Sequence, residues 1–188
     1  MKNIVIFASG SGTNAQNICE QFAQHPTIKV AALFCNNPHA KVIERMKPYG
    51  VPVHVFNKTT FNDSKLFNEL LLPYQPDLIV LAGFLLLMPT YLVQQFPNKI
   101  INIHPALLPK HGGKGMYGQH VHEAVLAQKD TEHGITIHFV NEKYDEGAPI
   151  FQAKFDVKPN YQLADIQQQI AALEMRYFPD AIKRVLGE

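Results

Sequence analysis

Two residues that can stabilise a developing negative charge stand two positions apart at the end of an apolar run. Asn102 and His104 follow Lys99-Ile100-Ile101 and precede Pro105. If residues 100–103 form a strand, its period of two sends both side chains to one face, and the proline ends the strand directly after them. An amide N–H and an imidazolium N–H both suit an oxygen that gains charge. The pattern indicates a catalytic pair, although a polar strand end with a solvated histidine fits it too.

A carboxylate that could act on this histidine lies further along the chain. Tyr144-Asp145-Glu146-Gly147 reads as a turn between two late strands. An acid on a turn is usually solvated, but a carboxylate near His104 would stabilise the imidazolium and raise its pKa. The sequence leaves open whether Asp145 reaches His104.

A glycine loop follows the first apolar run and opens the first helical pattern. Its sequence is G-S-G-T-N-A at residues 10–15, where backbone N–H groups and the helix dipole favour a phosphate. The dinucleotide fingerprint G-x-G-x-x-A also expects an acid about twenty residues on, and Cys35-Asn36-Asn37-Pro38 supplies none. We therefore favour a phosphate-binding site as the interpretation of this loop over a turn with only a structural role, and NAD binding is disfavoured.

The elements that position these groups follow from the hydrophobic pattern. Short apolar runs alternate with amphipathic stretches up to about residue 103, which predicts a mostly parallel sheet flanked by helices, and an antiparallel strand pair follows. The glycine-rich stretch at residues 105–118 is expected to be a functional loop. Predicted strands cover residues 4–8, 28–35, 51–56, 78–82, 100–103, 134–140 and 149–157, and helices cover 14–24, 40–49, 61–72, 91–96, 120–128 and 163–186, the last with a break at Pro179.

Composition limits the classes of function. The 188 residues are 46% hydrophobic and carry a formal charge of +1, which predicts one globular domain and argues against nucleic-acid or membrane partners. Neither cysteine lies in a C-x-x-C pattern, the nine histidines form no convincing metal site, and the N-terminus lacks a signal-peptide pattern. A cytoplasmic protein without a metal is expected.

Taken together, these motifs resemble the phosphoribosylglycinamide formyltransferases, the folate-dependent transformylases of purine synthesis. The resemblance covers essentially the whole chain, and the combination of motifs is specific although no single motif is. It implies an α/β, Rossmann-like formyltransferase fold in one domain spanning residues 1–188, with the phosphoribosyl substrate in the N-terminal half and the folate in the C-terminal half. The motifs are G-S-G-T-N at residues 10–14, A-G-F at 82–84, N-I-H-P-A-L-L-P at 102–109, H-F-V-N-E-K-Y-D-E-G at 138–147 and a glutamate in the last helix.

The resemblance also implies the reaction and the site. The formyl group of 10-formyltetrahydrofolate would pass to the amine of 5'-phosphoribosylglycinamide, with Asn102, protonated His104 and Asp145 as the catalytic residues. Lys58 matches a basic position only after a one-residue shift, and the leucine segment lacks an arginine that relatives often carry. The positions implied to bind ligands are Gly12, Thr13 and Asn14 for the phosphate, Glu174 for the ribose hydroxyls, and Lys58, Leu85, Leu86, Leu87, Met88 and Asn102 for the folate.

Other functions stay open at this point. Methionyl-tRNA formyltransferases and formyltetrahydrofolate deformylases also use formylfolate, but each is expected to carry a further domain, and the near-neutral charge disfavours tRNA. A non-catalytic nucleotide-binding module would explain the glycine loop but not Asn102, His104 and Asp145. The sequence does not decide between a monomer and a homodimer.

Overall fold

Seven strands form one sheet in the computed structural model, which describes residues 1–188. The strands that the hydrophobic pattern predicts are all present, and only their ends differ. In chain order they are β1 (Lys2–Ala8), β2 (Ile28–Cys35), β3 (Val53–Val55), β4 (Leu78–Leu81), β5 (Ile100–His104), β6 (Glu132–Phe139) and β7 (Pro149–Asp156).

The strand order across the sheet is β3-β2-β1-β4-β5-β6-β7. Strands β1 to β5 pair in parallel, whereas β5–β6 and β6–β7 pair antiparallel. The predicted mostly parallel sheet with a C-terminal antiparallel pair is confirmed. The chain moves outward from β1 to β3 and then returns to place β4 beside β1, so the winding direction reverses between these two strands. In such sheets ligands bind at the carboxyl ends of the strands where the order reverses.

Helices cover both faces of the sheet, because the strand residues are apolar on both sides. Along β1, Ile4, Ile6 and Ala8 face one apolar cluster while Val5 and Phe7 face the other. No helix has the length and apolar character that crossing a membrane requires. The helices are α1 (Thr13–Phe22), α2 (Lys41–Met46), α3 (Lys58–Asn62), α4 (Ser64–Leu71), α5 (Thr90–Gln95), α6 (Gln119–Ala127) and α7 (Leu163–Leu186).

Two predicted helices are shorter than the pattern suggested. The helix expected over residues 61–72 begins only at Ser64, because Asp63 leaves the helical conformation and caps α4, accepting hydrogen bonds from the backbone N–H groups of Lys65 and Leu66 at 3.0 Å. The helix expected over residues 40–49 ends at Met46 and continues as a 3-10 turn that contains Pro48.

The break predicted at Pro179 is wrong, since α7 runs through this residue. A proline inside a helix leaves the carbonyl four residues earlier without its usual donor, here the carbonyl of Met175. The side chain of Asn17 on α1 donates to that oxygen at 2.8 Å. Asn17 is buried, so it supplies the hydrogen bond that Pro179 cannot make, and the helix continues.

Candidate active site

A cavity of about 410 Å³ opens at the carboxyl ends of β4 and β5. Half of its lining is apolar, and the polar part includes Asn102, His104, His138 and Asp145, a composition that suits the binding of an organic molecule. The lining residues lie at 83–88, 102–105, 113–117 and 143–145, with Leu81, His138 and Val140.

Strand β5 carries Asn102 and His104 to one face of the sheet, and the antiparallel strand β6 sets their neighbours. Asn102 lies opposite His138, and His104 lies opposite Thr136. The Nδ2 atom of Asn102 is 3.1 Å from Nε2 of His138, whose Nδ1 is 2.8 Å from the carbonyl oxygen of Phe139. Because a carbonyl only accepts, Nδ1 of His138 holds the proton and Nε2 accepts from the amide. His138 thereby orients Asn102.

Sequence reasoning did not include His138 in the site. The alternation along residues 134–140 places Thr136 and His138 on the same face of their strand, and His138 also opens the motif at residues 138–147. Neither signal reveals the register against β5, so neither identifies Asn102 as the partner of His138.

His104 is 4% exposed, and both of its ring nitrogens have partners. Nε2 is 2.8 Å from the carbonyl oxygen of His111, and Nδ1 is 3.5 Å from Oδ2 of Asp145. His111 has a left-handed backbone, with φ 55°, and its own ring lies 2.6 Å from Asp130, which holds the carbonyl in place. Asp145 faces His104 directly.

Asp145 is held by the loops around the cavity. It also has a left-handed backbone, with φ 56°, and its Oδ2 accepts from the N–H of Gly113 at 2.9 Å. Its Oδ1 is 3.7 Å from Nε2 of His138. Burial by itself would raise the pKa of Asp145, but the nearby His104 and the Gly113 N–H favour the carboxylate and leave the pKa below its ordinary value.

Burial and charge act in opposite directions on His104. Burial lowers its pKa, because an imidazolium loses solvation, while Asp145 and the carbonyl of His111 raise it. Asp145 therefore acts in the direction expected from the sequence. Burial is the larger influence, so the net pKa lies below the ordinary value for histidine.

The glycine loop forms a second polar region, at the carboxyl end of β1. No backbone N–H from Gly10 to Ala15 has a hydrogen-bond acceptor in the protein, and no side chain caps α1. Gly12 has φ 76°, and a Cβ there would lie 2.4 Å from Cγ2 of Val42, so only glycine fits. A row of free N–H donors at a helix N-terminus favours an anion.

Glu174 reaches this region from α7. Its Oε2 accepts from Nδ2 of Asn14 at 2.9 Å, which brings together two residues that are 160 positions apart in the chain. Burial raises the pKa of Glu174 to about 7. The Oγ of Ser9 accepts from the N–H of Leu85 at 3.0 Å and thereby ties the glycine loop to the leucine segment of the cavity.

The remaining residues predicted to bind ligands divide into two groups. Lys58 begins α3 and is not among the residues that line the cavity. The segment from Leu85 to Met88 does line it, with the side chains of Leu85 and Leu87 partly exposed and that of Met88 buried. No three histidine, cysteine, aspartate or glutamate side chains are arranged to hold a metal ion.

Comparison with known proteins places this geometry in a family. The model of the formyl transferase family matches residues 2–182. The chain is 34% identical over 192 residues to the phosphoribosylglycinamide formyltransferase of Bacillus subtilis, covering 100% of this chain and 96% of the relative. The Escherichia coli enzyme of the same name is 33% identical over 183 residues, covering 94% of this chain and 84% of that protein.

Solved structures agree with the sequence comparison. Glycinamide ribonucleotide transformylase 1 from Geobacillus kaustophilus superimposes with a TM-score of 0.86 and 33% identity, covering 100% of both chains. The phosphoribosylglycinamide formyltransferase from Bacillus halodurans gives a TM-score of 0.88 at 33% identity, covering 100% of this chain and 96% of that chain. The likeness extends over the whole sheet, including its antiparallel end.

Proposed function

The chain belongs to the formyl transferase family, among the phosphoribosylglycinamide formyltransferases of purine biosynthesis, and we propose that its formyl donor is 10-formyltetrahydrofolate and its acceptor the amine of 5'-phosphoribosylglycinamide. The observation that carries this proposal is the meeting of Asn102, His104 and Asp145 in a cavity whose lining is about half apolar. An amide, an imidazole and a carboxylate arranged in this way suit acyl transfer.

The proposed reaction proceeds through a tetrahedral intermediate. The acceptor amine attacks the formyl carbon, a C–N bond forms, and the carbonyl electron pair moves to oxygen. Asn102 donates the Nδ2 hydrogen that His138 does not use, and the imidazolium of His104 donates from Nδ1. When the bond from carbon to the folate nitrogen breaks, that nitrogen takes up a proton and the former amine loses one, which leaves the charge balanced.

In this proposal the acceptor occupies the region of the glycine loop, and the formyl donor occupies the cavity. The free N–H groups around Gly12, Thr13 and Asn14 bind the phosphate, and Glu174 accepts hydrogen bonds from the ribose hydroxyls. The backbone of Leu85, Leu86, Leu87 and Met88 binds the pterin ring. The hydrogen bond from Leu85 to Ser9 supports a continuous site that holds both substrates together.

The decisive experiment supplies formyltetrahydrofolate with each candidate acceptor. The reaction is monitored through the absorbance of the released folate. Formyl transfer to glycinamide ribonucleotide would support the proposal. Transfer only to initiator tRNA would instead favour a methionyl-tRNA formyltransferase, and hydrolysis without an acceptor would favour a deformylase. No turnover with any of them, using substrates that a known transformylase consumes, would contradict the proposed reaction.

Two substitutions test the catalytic pair. Asn102→Ala and His104→Ala should each lower kcat by roughly two to three orders of magnitude, since each removes a donor to the oxyanion. Asn160→Ala, at an exposed asparagine outside the cavity, is the control and should leave kcat unchanged. Near wild-type turnover in either of the first two variants would show that the pair is not catalytic.

A further inference from the structure

Arg45, which the sequence patterns did not single out, contacts the glycine loop. It projects from α2, and its Nε donates to the carbonyl oxygen of Ser11 at 2.9 Å. One of its terminal nitrogens donates to the side chain of Gln16, in the first turns of α1. Arg45 makes no ion pair with any acidic side chain, so its positive charge is not neutralised where it meets the loop.

Helix α2 turns the carbonyl groups of the loop away from the free N–H groups. The N–H of Val42 donates to the carbonyl of Gly10 at 3.1 Å, and Arg45 holds the next carbonyl, that of Ser11. A carbonyl oxygen that pointed toward a bound phosphate would repel it. By holding Ser11, Arg45 keeps the N–H side of the loop toward the anion.

The loop has no charge of its own to match a phosphate. Residues 10–15 contain no lysine, arginine or histidine, and the first turn of α1 carries no acidic residue either. Backbone N–H groups and the helix dipole supply only partial charges, whereas a phosphate monoester carries nearly two negative charges at neutral pH. The guanidinium of Arg45 is the full positive charge that touches the loop.

We propose that Arg45 is the positioning residue of the phosphate loop, and that it selects acceptors that carry a phosphate over the corresponding nucleosides. This inference rests on the proposed function, because it assigns the phosphate of the acceptor to this loop. Arg45 acts through the peptide of Ser11 and through its charge, so its contribution appears in the binding of the phosphorylated acceptor and not in the chemical step.

The test compares glycinamide ribonucleotide with its dephosphorylated riboside as acceptors. For Arg45→Gln, KM for the ribonucleotide should rise about tenfold or more, the range of a lost charge-assisted hydrogen bond, with kcat within about twofold. The value of kcat/KM for the riboside should not change. Arg45→Lys keeps the charge but not the geometry of the guanidinium, and it should recover part of the loss.

Lys41→Gln is the matched control. Lys41 is exposed on the same helix and makes no hydrogen bond to the loop, so this variant changes the net charge by the same amount without releasing Ser11. An equal rise in KM for Lys41→Gln would show that Arg45 acts only through its charge at a distance and not through its contact with Ser11. An equal loss for both acceptors in Arg45→Gln would show a general structural role, and unchanged kinetics would show no role. Each of these three results overturns the proposal.

A binding measurement separates this inference from the reaction itself. Calorimetric titration with ribose 5-phosphate and with ribose requires no turnover. Wild-type protein should bind the phosphorylated sugar more tightly, and Arg45→Gln should lose most of that preference. If formyl transfer failed but this preference and its loss in Arg45→Gln were found, the proposed role of Arg45 would stand and the proposed reaction would be wrong. If wild-type protein showed no preference, the inference would be wrong whatever the enzyme assay gave.

Discussion

Nε2 of His104 lies 2.8 Å from the carbonyl oxygen of His111, and this contact decides which nitrogen of the imidazole can transfer a proton. Since the carbonyl only accepts, Nε2 keeps its proton in both the neutral and the charged ring. The titrating nitrogen is therefore Nδ1, which faces Asp145 at 3.5 Å. His104 donates from Nδ1 only as the imidazolium, and the carboxylate favours that form.

Removing the charge of Asp145 should make the enzyme more sensitive to alkaline pH. Asp145 raises the pKa of His104 against the effect of burial, so in Asp145→Asn this pKa falls further below its ordinary value. The protonated fraction is then lost at lower pH, and the alkaline limb of the kcat/KM profile moves to lower pH. The profile of Glu142→Gln, an exposed acid on the same turn, should match that of wild type. A loss in Asp145→Asn that is the same at every pH would limit Asp145 to orienting the ring.

Glu174 should make binding of the acceptor depend on pH near neutrality. Burial raises the pKa of its carboxyl to about 7, and the carboxylate accepts hydrogen bonds from ribose hydroxyls better than the protonated acid does. The KM for glycinamide ribonucleotide should therefore fall as pH rises through about 7, and Glu174→Gln should remove this change. Because the phosphate of the substrate titrates in both proteins, the ratio of their KM values isolates the effect of Glu174. A ratio of KM values that is constant with pH would show that the ionisation of Glu174 does not affect acceptor binding.

The hydrogen bond from Asn17 to Met175 should matter only because Pro179 is present. Asn17→Ala leaves the Met175 carbonyl without a donor and should lower the free energy of unfolding by about 1–3 kcal/mol. Pro179→Ala restores a backbone N–H four residues after Met175, so Asn17→Ala should cost less in the Pro179→Ala background. Urea unfolding of the four proteins completes the cycle. Equal costs of Asn17→Ala in both backgrounds would show that the proline is irrelevant to the role of Asn17.

Two neighbouring glycines should respond differently to the same substitution. Gly12→Ala combines a left-handed backbone with a contact of 2.4 Å to Val42, and it should destabilise the fold by about 1–3 kcal/mol or more while raising KM for the acceptor. Gly10→Ala places its methyl group in open space and should change Tm little. Thermal unfolding and acceptor KM measure both effects. A Tm for Gly12→Ala equal to that of Gly10→Ala would remove the packing argument for Gly12.

Local patterns in the sequence were sufficient for most of the secondary structure. The alternation of apolar runs with amphipathic stretches predicts the β/α order, and the period of two places Asn102 and His104 on one face. These predictions succeed because they depend on residues that are close in the chain. They fail where a distant side chain changes the local outcome, as Asn17 does for the helix that contains Pro179.

Only the tertiary structure brings the polar groups of the site together. The sequence determined that an amide and an imidazole end one strand, that a glycine loop opens α1 and that an acid lies on a late turn. It did not determine that Asp145 faces His104, that His138 orients Asn102, or that Arg45 holds Ser11. These contacts join residues 34 to 41 positions apart in the chain. They depend on strand register and on how the helices pack, and the spacing of residues along the chain encodes neither.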